Sequence, residues 1–274
     1  MSAQIALPFP SRGLEEPGND NALMISRFQK LSTPKILNAV VRAIKRHKPA
    51  ISGRHLDIGS GTGELIGLIQ SNFPVESVAC DYTDQIITRP GQKVDVVDLN
   101  SECLPYADAE FDLVTMTEVV EHIEHARRIF REAFRVLKPD GLFVLTTPNI
   151  LNLKSRMRFL FFGFWNLFGP LPVSGQPNYK VSGHINPISY FYVAHGLREA
   201  RFNNVFLEID KAQRSSIALL VLLYLPVKLF GWLAYLREAR KYRTVDEENA
   251  AIVKAMNSVP VLVGRTVIVA ATKS

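Results

Sequence analysis

Residues 56–69 read LDIGSGTGELIGLI: a short apolar run that ends in an acid, three glycines within five residues, then apolar positions at helical spacing. Gly59, Gly61 and Gly63 leave bare backbone between a strand and a helix. A residue without Cβ either adopts φ > 0 or lets another group touch the chain. Three of them at one strand-to-helix turn predict a small molecule lying across the turn, with the N–H groups of the helix start facing its negative end. Asp57 adds a carboxylate at the same place.

Working outward, RHLDIG, VESVACD, KVDVVDL, FDLVTM and LFVLTTP read as strands, and STPKILNAVVRAIKRHK, residues 62–70 and ARRIFREAFRVL as helices. KPDG marks a turn before the fifth strand. The first helix opens on a Ser32/Thr33 cap with Pro34 in its first turn, and Ile36, Leu37, Val40, Val41 and Ile44 keep one apolar face. Continuous apolar strands alternating with helices predict an α/β fold with a doubly wound, mostly parallel sheet. VFLEI and RTVIVAATK supply two further strands, making seven, with an apolar helical insertion before the last.

The 274 residues suffice for one large α/β domain with insertions. The net charge is +6, a mild excess that suits an anionic membrane surface or nucleic acid. Two cysteines, Cys80 and Cys103, make no disulfide framework and fit a reducing, cytoplasmic compartment. Residues 1–31 read as a loose, Pro/Gly-broken lead-in without the pattern of a secretory signal.

Ligands of open α/β sheets bind beyond the carboxyl ends of the strands. Those ends carry Asp57, Asp81-Tyr82, Asp98-Leu99, Thr117-Glu118 and Thr147-Pro148-Asn149. Asp81 can accept both hydroxyls of a ribose. Asp98 can accept from an adenine amino group, with Leu99 flanking the ring. A dinucleotide fingerprint is G-x-G-x-x-G; here the spacing is G-x-G-x-G, and Asp98 adds an acid that fingerprint does not require.

LDIGSGTGE, CDYTD, DVVDLNSECLPYADAEFDLVTMTEVVEHI, REAFRVLKPDGLFVLTTPN and GHINPISYFYVAHGLREARFNNV, in that order, resemble the class I S-adenosylmethionine-dependent methyltransferases, with a Rossmann-like fold. The nearer branch holds quinone-biosynthesis O-methyltransferases and enzymes acting on polysaccharides and lipids. The resemblance implies S-adenosyl-L-methionine as cofactor. It implies that Asp57, Gly59, Gly61 and Gly63 surround the methionine part, Asp81 takes the ribose, and Asp98 and Leu99 take the adenine. Tyr82 would lie beside the ribose, and Thr117 and Glu118 would line the fourth-strand edge. Only YTDQIITRPGQK links Asp81 to the third strand, so the helix usual there is short or missing.

Transfer to oxygen wants a base, and His122 in EVVEHIEH and His184 in GHINP are the candidates. EVVEHIEH shows no metal constellation: its acids are regularly helical, and its histidines are three residues apart. No N-P-P-[YF]-type motif follows the fourth strand, which argues against nucleic acid as acceptor. The other readings kept open are a cofactor-binding but inactive module and a nucleic-acid methyltransferase.

Residues 151–185 read as an acceptor-side insertion. Phe159, Phe161, Phe162, Phe164, Trp165 and Phe168 form a greasy wall or lid for a hydrophobic sugar-, lipid- or quinone-like acceptor; a satellite core is the alternative. Residues 211–260 form the apolar insertion, and residues 32–210 with 261–274 form the methyltransferase domain. Ile217 to Leu236 is long enough to cross a bilayer, but the strands on either side belong to one sheet. Pro226 and Lys228 at its middle predict two short helices meeting at Pro226 as a hairpin that lies on the inner membrane face. Membrane contact is expected through 159–173 and 215–243, with basic residues 237–243 toward anionic headgroups. A homodimer interface or a cap over the acceptor site are the alternatives.

Overall fold

The apolar runs of the sequence become strands covered on both faces, and β5 shows how. In this computed structural model, which describes residues 32–171 and 183–274, β5 spans Leu137–Pro148 and is buried along nearly its whole length. Leu142 and Val144 face one way, toward Leu37, Val40 and Ile44 of α1 (Pro34–His47) and Leu65 and Ile69 of α2 (Glu64–Asn72). Phe143 and Leu145 face the other, toward Ile129, Phe130 and Ala133 of α3 (Ala126–Val136) and Val193 and Leu197 of α5 (Tyr190–Glu199). The period-two alternation thus sorts one strand's side chains into two cores. The lead-in 1–31 and positions 172–182 of the 151–185 insertion lie outside the described residues.

Seven strands form one sheet in the order β3-β2-β1-β4-β5-β7-β6. β1 (Gly53–Ile58), β2 (Val75–Asp81), β3 (Val94–Val96), β4 (Phe111–Thr117) and β5 are parallel, and β7 (Thr266–Thr272) runs antiparallel between β5 and β6 (Val205–Ile209). The expected mostly parallel, seven-stranded doubly wound sheet is therefore present. The chain reverses its direction of winding between β1 and β4, and the carboxyl ends of those strands open a crevice there.

Local readings need three corrections. KPDG is an irregularity inside β5, not a turn before it: the β4–β5 register shifts between Phe111 and Leu113, and Asp140 takes φ 60°. Thr33 starts α1 through its extended backbone, and its side chain makes no capping bond. The third correction concerns residues 214–242. They form one helix, α6 (Arg214–Arg237), which runs through Pro226 and ends in a π turn at Glu238–Tyr242. A proline inside a helix costs about 3 kcal/mol, and the helix is held on both sides of it. Before Pro226, Ser216 meets Asn152 at the start of α4 (Leu153–Phe162). After it, Lys228 donates to the carbonyl of Asn257 at 3.1 Å. The hairpin exists, but its bend follows Arg243, in the left-handed conformation, and its second arm is α7 (Ala250–Ala255) and α8 (Val259–Val263).

Candidate active site

All three glycines of the opening stretch take positive φ, 71° at Gly59, 51° at Gly61 and 79° at Gly63. A Cβ on Gly59 would overlap the Val119 side chain, so the turn is tight as well as left-handed. The Gly59 and Ser60 N–H groups donate to the carbonyl of Cys80, and the Gly61 N–H donates to Asp81 at 2.8 Å. Ser60 is buried, and its hydroxyl has no hydrogen-bond partner among the described residues.

Asp57 sits under this turn, 2% exposed. The Thr115 hydroxyl donates to it at 2.7 Å, and Thr115 also meets His55 Nε2 at 2.8 Å. A hydroxyl has one proton to give, so His55 Nε2 carries the hydrogen donated to Thr115, and His55 Nδ1 accepts from Ser77. Burial keeps that ring neutral, with its pKa lowered to about 3. Burial also pushes the Asp57 carboxyl up to about 7; the Thr115 bond opposes this and the nearby Asp81 adds to it.

Asp81 is buried and raised by burial, against the bonds from Gly61 and Tyr82. Tyr82 donates its N–H to Asp81 at 2.7 Å and exposes its ring. Asp98 lies at the surface two residues past β3, accepting from the Asn100 N–H and the Ser101 hydroxyl, which lower its pKa. Leu99 is half-buried against the core. The link from Asp81 to β3 contains no helix.

At the end of β4, Thr117 is buried with an unpartnered hydroxyl among the described residues. Glu118 follows at φ 56° and accepts from the Thr146 hydroxyl at 3.0 Å. Burial raises its carboxyl to about 7, although Thr146 and Arg265 act the other way. EVVEHIEH is not a regular helix: Val120–His122 makes one 3₁₀ turn, then the chain extends at Ile123. Fully buried Glu121 accepts from Thr147 at 3.1 Å through Oε2, and burial raises it well above the carboxylate range. His122 and His184 stand edge to face, their ring centroids 4.7 Å apart. His122 Nδ1 donates to the Gly183 carbonyl at 2.8 Å and His184 Nδ1 to Leu167 at 3.0 Å. Burial lowers both rings, His184 to about 4 with His122 adding to the effect.

The structure thus gathers Asp57, the glycines, Asp81, Thr117 and Glu118 at one edge, with His122 and His184 together beside it. Sequence reasoning missed the packing of Glu121 against this pair, because His184 arrives from a distant segment. It placed Asn149 at the end of the fifth strand but missed its tether: the amide donates to the carbonyls of Val261 and Gly264 and fixes the end of β5 to α8. Of the expected aromatic wall, Phe159, Phe161 and Phe162 are exposed, Phe164 and Trp165 half-buried. Phe168 is buried beside His184 and belongs to the interior.

Residues 56–145 match a family model described as a methyltransferase domain. The ubiquinone/menaquinone biosynthesis C-methyltransferase UbiE of Bartonella bacilliformis is 28% identical over 163 residues, 55% of this chain and 59% of that protein. The chain spans about half the length of the UbiE relatives it matches. A solved S-adenosylmethionine-dependent methyltransferase from Archaeoglobus fulgidus superposes at a TM-score of 0.54 and 17% identity, covering 93% of this chain and all of the other. Phosphoethanolamine N-methyltransferase 2 of Haemonchus contortus, solved with S-adenosyl-L-methionine, gives 0.52 at 14% identity, over 91% of this chain and 56% of that one. At these identities the two structures establish the shared fold.

Proposed function

The chain carries a class I S-adenosylmethionine-dependent methyltransferase domain, and on that premise we propose that the whole protein methylates a hydroxyl of a sugar, lipid-linked or quinone-like acceptor at a membrane surface. The residues present fit the cofactor. Asp57 is a buried carboxyl awaiting a cation, Ser60 and Thr117 offer unpartnered buried hydroxyls, and Gly59 leaves its backbone bare. When bound, the cofactor supplies a methyl group activated on a sulfonium sulfur. The chain's own task is alignment and exclusion of water. In this reading Asp57 and the glycine turn hold the methionine end, Asp81 with Tyr82 the ribose, Asp98 and Leu99 the adenine. Thr117 and Glu118 close the fourth-strand edge. Both histidines donate Nδ1–H to carbonyls, so each Nε2 carries a lone pair able to take a proton. That pair favours oxygen as the acceptor atom. The name of the UbiE relatives favours a second reading, methylation of a ring carbon.

The observation that carries the membrane part is α6. Among the described residues one helix, Arg214–Tyr242, is long and apolar enough to cross a bilayer, and none of its most apolar stretch is buried. Val221, at 86% exposure, with Leu222, Leu225, Leu229, Phe230 and Trp232 faces outward, where a surface helix is ordinarily polar. Exposed Phe159, Leu160, Phe161 and Phe162 on the neighbouring α4 extend the same apolar area. Arg237, Arg240, Lys241 and Arg243 follow, suited to anionic headgroups. Docking in the plane, not crossing, is favoured by the returning arm. It carries Asp246, Glu247 and Glu248, sets Lys254 over the Tyr235 ring at 5.5 Å and places Asn257 against Lys228; a crossing would draw these charges into hydrocarbon. The two free cysteines suit the cytoplasmic face.

Calorimetry with S-adenosylmethionine tests the enzyme reading. No binding at millimolar cofactor makes the chain an inactive module. Lipid and polysaccharide fractions from deletion and parent cells should differ by a mass of 14 Da; a change confined to nucleic acid defeats the acceptor proposal. Flotation with phosphatidylglycerol vesicles tests docking. A dimer that stays off vesicles assigns the apolar face to a second copy.

A further inference from the structure

Glu121, His122 and His184 each bring one donor atom to a common point, and the three atoms lie within 4.8 Å of one another. We infer that these residues bind one divalent transition-metal cation beside the glycine turn, through a Glu121 carboxylate oxygen and the two Nε2 atoms.

Four observations carry this assignment. First, both imidazoles donate Nδ1–H to backbone carbonyls, His122 to Gly183 and His184 to Leu167, which fixes the tautomer and leaves each Nε2 a bare lone pair. Metal-ligating histidines are held in this way, by an outer partner on the other ring nitrogen. Second, Glu121 is fully buried, and only Oε2 is satisfied, by the Thr147 hydroxyl. Oε1 has no hydrogen-bond partner among the described residues. A buried carboxylate oxygen without a partner is costly, and a cation in the His pair's angle would satisfy it. Third, the two segments are fastened together independently of any ion. The Asn186 N–H donates to the Glu121 carbonyl at 3.0 Å, and its side-chain amide to the Ile123 carbonyl at 3.2 Å. Gly183 takes φ 122°, where a Cβ would stand 3.2 Å from His122 Nδ1. Fourth, the cluster lies on the cofactor edge: Val119, two residues before Glu121, packs on Gly59, and Thr147 is the penultimate residue of β5.

Two imidazoles and one carboxylate form a donor set for zinc, manganese, cobalt or iron in the divalent state; magnesium prefers oxygens alone. Three protein ligands leave open positions, the pattern of catalytic rather than structural sites. Neither His122 nor His184 is fully buried, which leaves those positions toward solvent. Resting on the methyltransferase reading, the cation's role is to hold the acceptor hydroxyl and make its proton more acidic. With both Nε2 atoms serving as ligands, neither histidine is then the base: the proton of the held hydroxyl would pass to a solvent water at the open side as the oxygen takes the methyl group from the sulfonium.

The test uses the untagged full-length chain, stripped with chelator, reloaded separately with Zn²⁺, Mn²⁺ and Co²⁺, and desalted before elemental analysis. About one equivalent of at least one cation should remain, with visible d–d absorption for bound Co²⁺. The changes His122→Ala and His184→Ala should each lower retention at least tenfold. The near-isosteric Glu121→Gln guards against misfolding: it should lower retention while leaving the thermal transition of the stripped chain in place. Retention below a tenth of an equivalent for all three cations overturns the proposal, as does undiminished retention in all three variants. Displacement by equimolar Mg²⁺ overturns the donor assignment. Calorimetry of the stripped chain with S-adenosylmethionine separates the two readings. Metal without cofactor binding sinks the function proposal, and cofactor without metal binding sinks this one.

Discussion

The cofactor edge and the α4–α6 shoulder break opposite rules of protein interiors and surfaces. At the edge, Asp57, Asp81, Glu118 and Glu121 gather where strands end, and burial raises all four carboxyls. On the shoulder, leucines and aromatics stand in the open over two helices. Charge inside is costly unless paired, and a large apolar patch outside is rare in a monomer. Each region is therefore incomplete alone, and each names its missing complement by chemistry: a cation-bearing small molecule inside, an apolar surface outside. Only the first complement is written into the family's motifs.

The largest expected effect lies on the shoulder. Changing Leu222, Leu225 and Leu229 together to Asp removes three outward apolar side chains, each worth about 1.5–3 kcal/mol when fully buried. Partial insertion still predicts a loss of vesicle affinity on the order of 10³-fold in a flotation assay. Because these residues are exposed, thermal stability should stay within a few degrees of the parent. If the triple variant floats as before, the shoulder does not meet the membrane; if it unfolds, the face is packed by a second copy.

Next in size is Gly59→Ala at the edge. The left-handed φ alone costs about 1–2 kcal/mol, and the new methyl overlaps Val119. Cofactor affinity should fall about 10²-fold, as expected when a positioned group moves by an ångström. Adding Val119→Ala should recover stability but not the left-handed strain. An unchanged dissociation constant by calorimetry would remove the turn from the cofactor site.

The edge was legible in the sequence for a physical reason. Its glycines, strand-end acids and apolar runs are set by local backbone geometry and by period-two burial, both of which a sequence carries position by position. The alternation of strands with helices pointed to a mostly parallel, doubly wound sheet, but the order of its strands is visible only in the folded chain. The shoulder was legible only as composition: Ile217 to Leu236 declared an apolar helix, but the bend expected at Pro226 moved past Arg243. The contacts that hold α6 on either side of Pro226, Asn152 with Ser216 and Asn257 with Lys228, join residues far apart in the chain. Glu121, His122 and His184 were hidden in the same way. EVVEH predicts a helix by spacing, and only the folded chain shows one 3₁₀ turn with His184 docked on it.

The smallest effect is also the sharpest test of how the edge works. Burial holds the free Asp57 carboxyl at about 7, so at pH 6 it is mostly protonated and at pH 8 mostly ionised. A cationic ligand group selects the ionised form, so binding below pH 7 must expel a proton. Affinity for S-adenosylmethionine should therefore rise with pH, by at most about tenfold per unit, and level off above 7. Folding runs the other way. A carboxyl raised on folding favours the folded state while both states are protonated, and that advantage is lost as pH climbs toward 7. Ligand-free protein should accordingly lose stability from about pH 4 to about 7, and recover part of it on binding. Asp57→Asn removes the titrating group while keeping a partner for Thr115. It should weaken cofactor binding, flatten this part of both profiles and make the ligand-free chain the more stable of the two at pH 8. Calorimetric titrations and thermal melts of both proteins across that range measure each slope. If the Asp57→Asn profile keeps the parent's slope, another group sets it, and Thr115 then positions a carboxylate that the cofactor does not need.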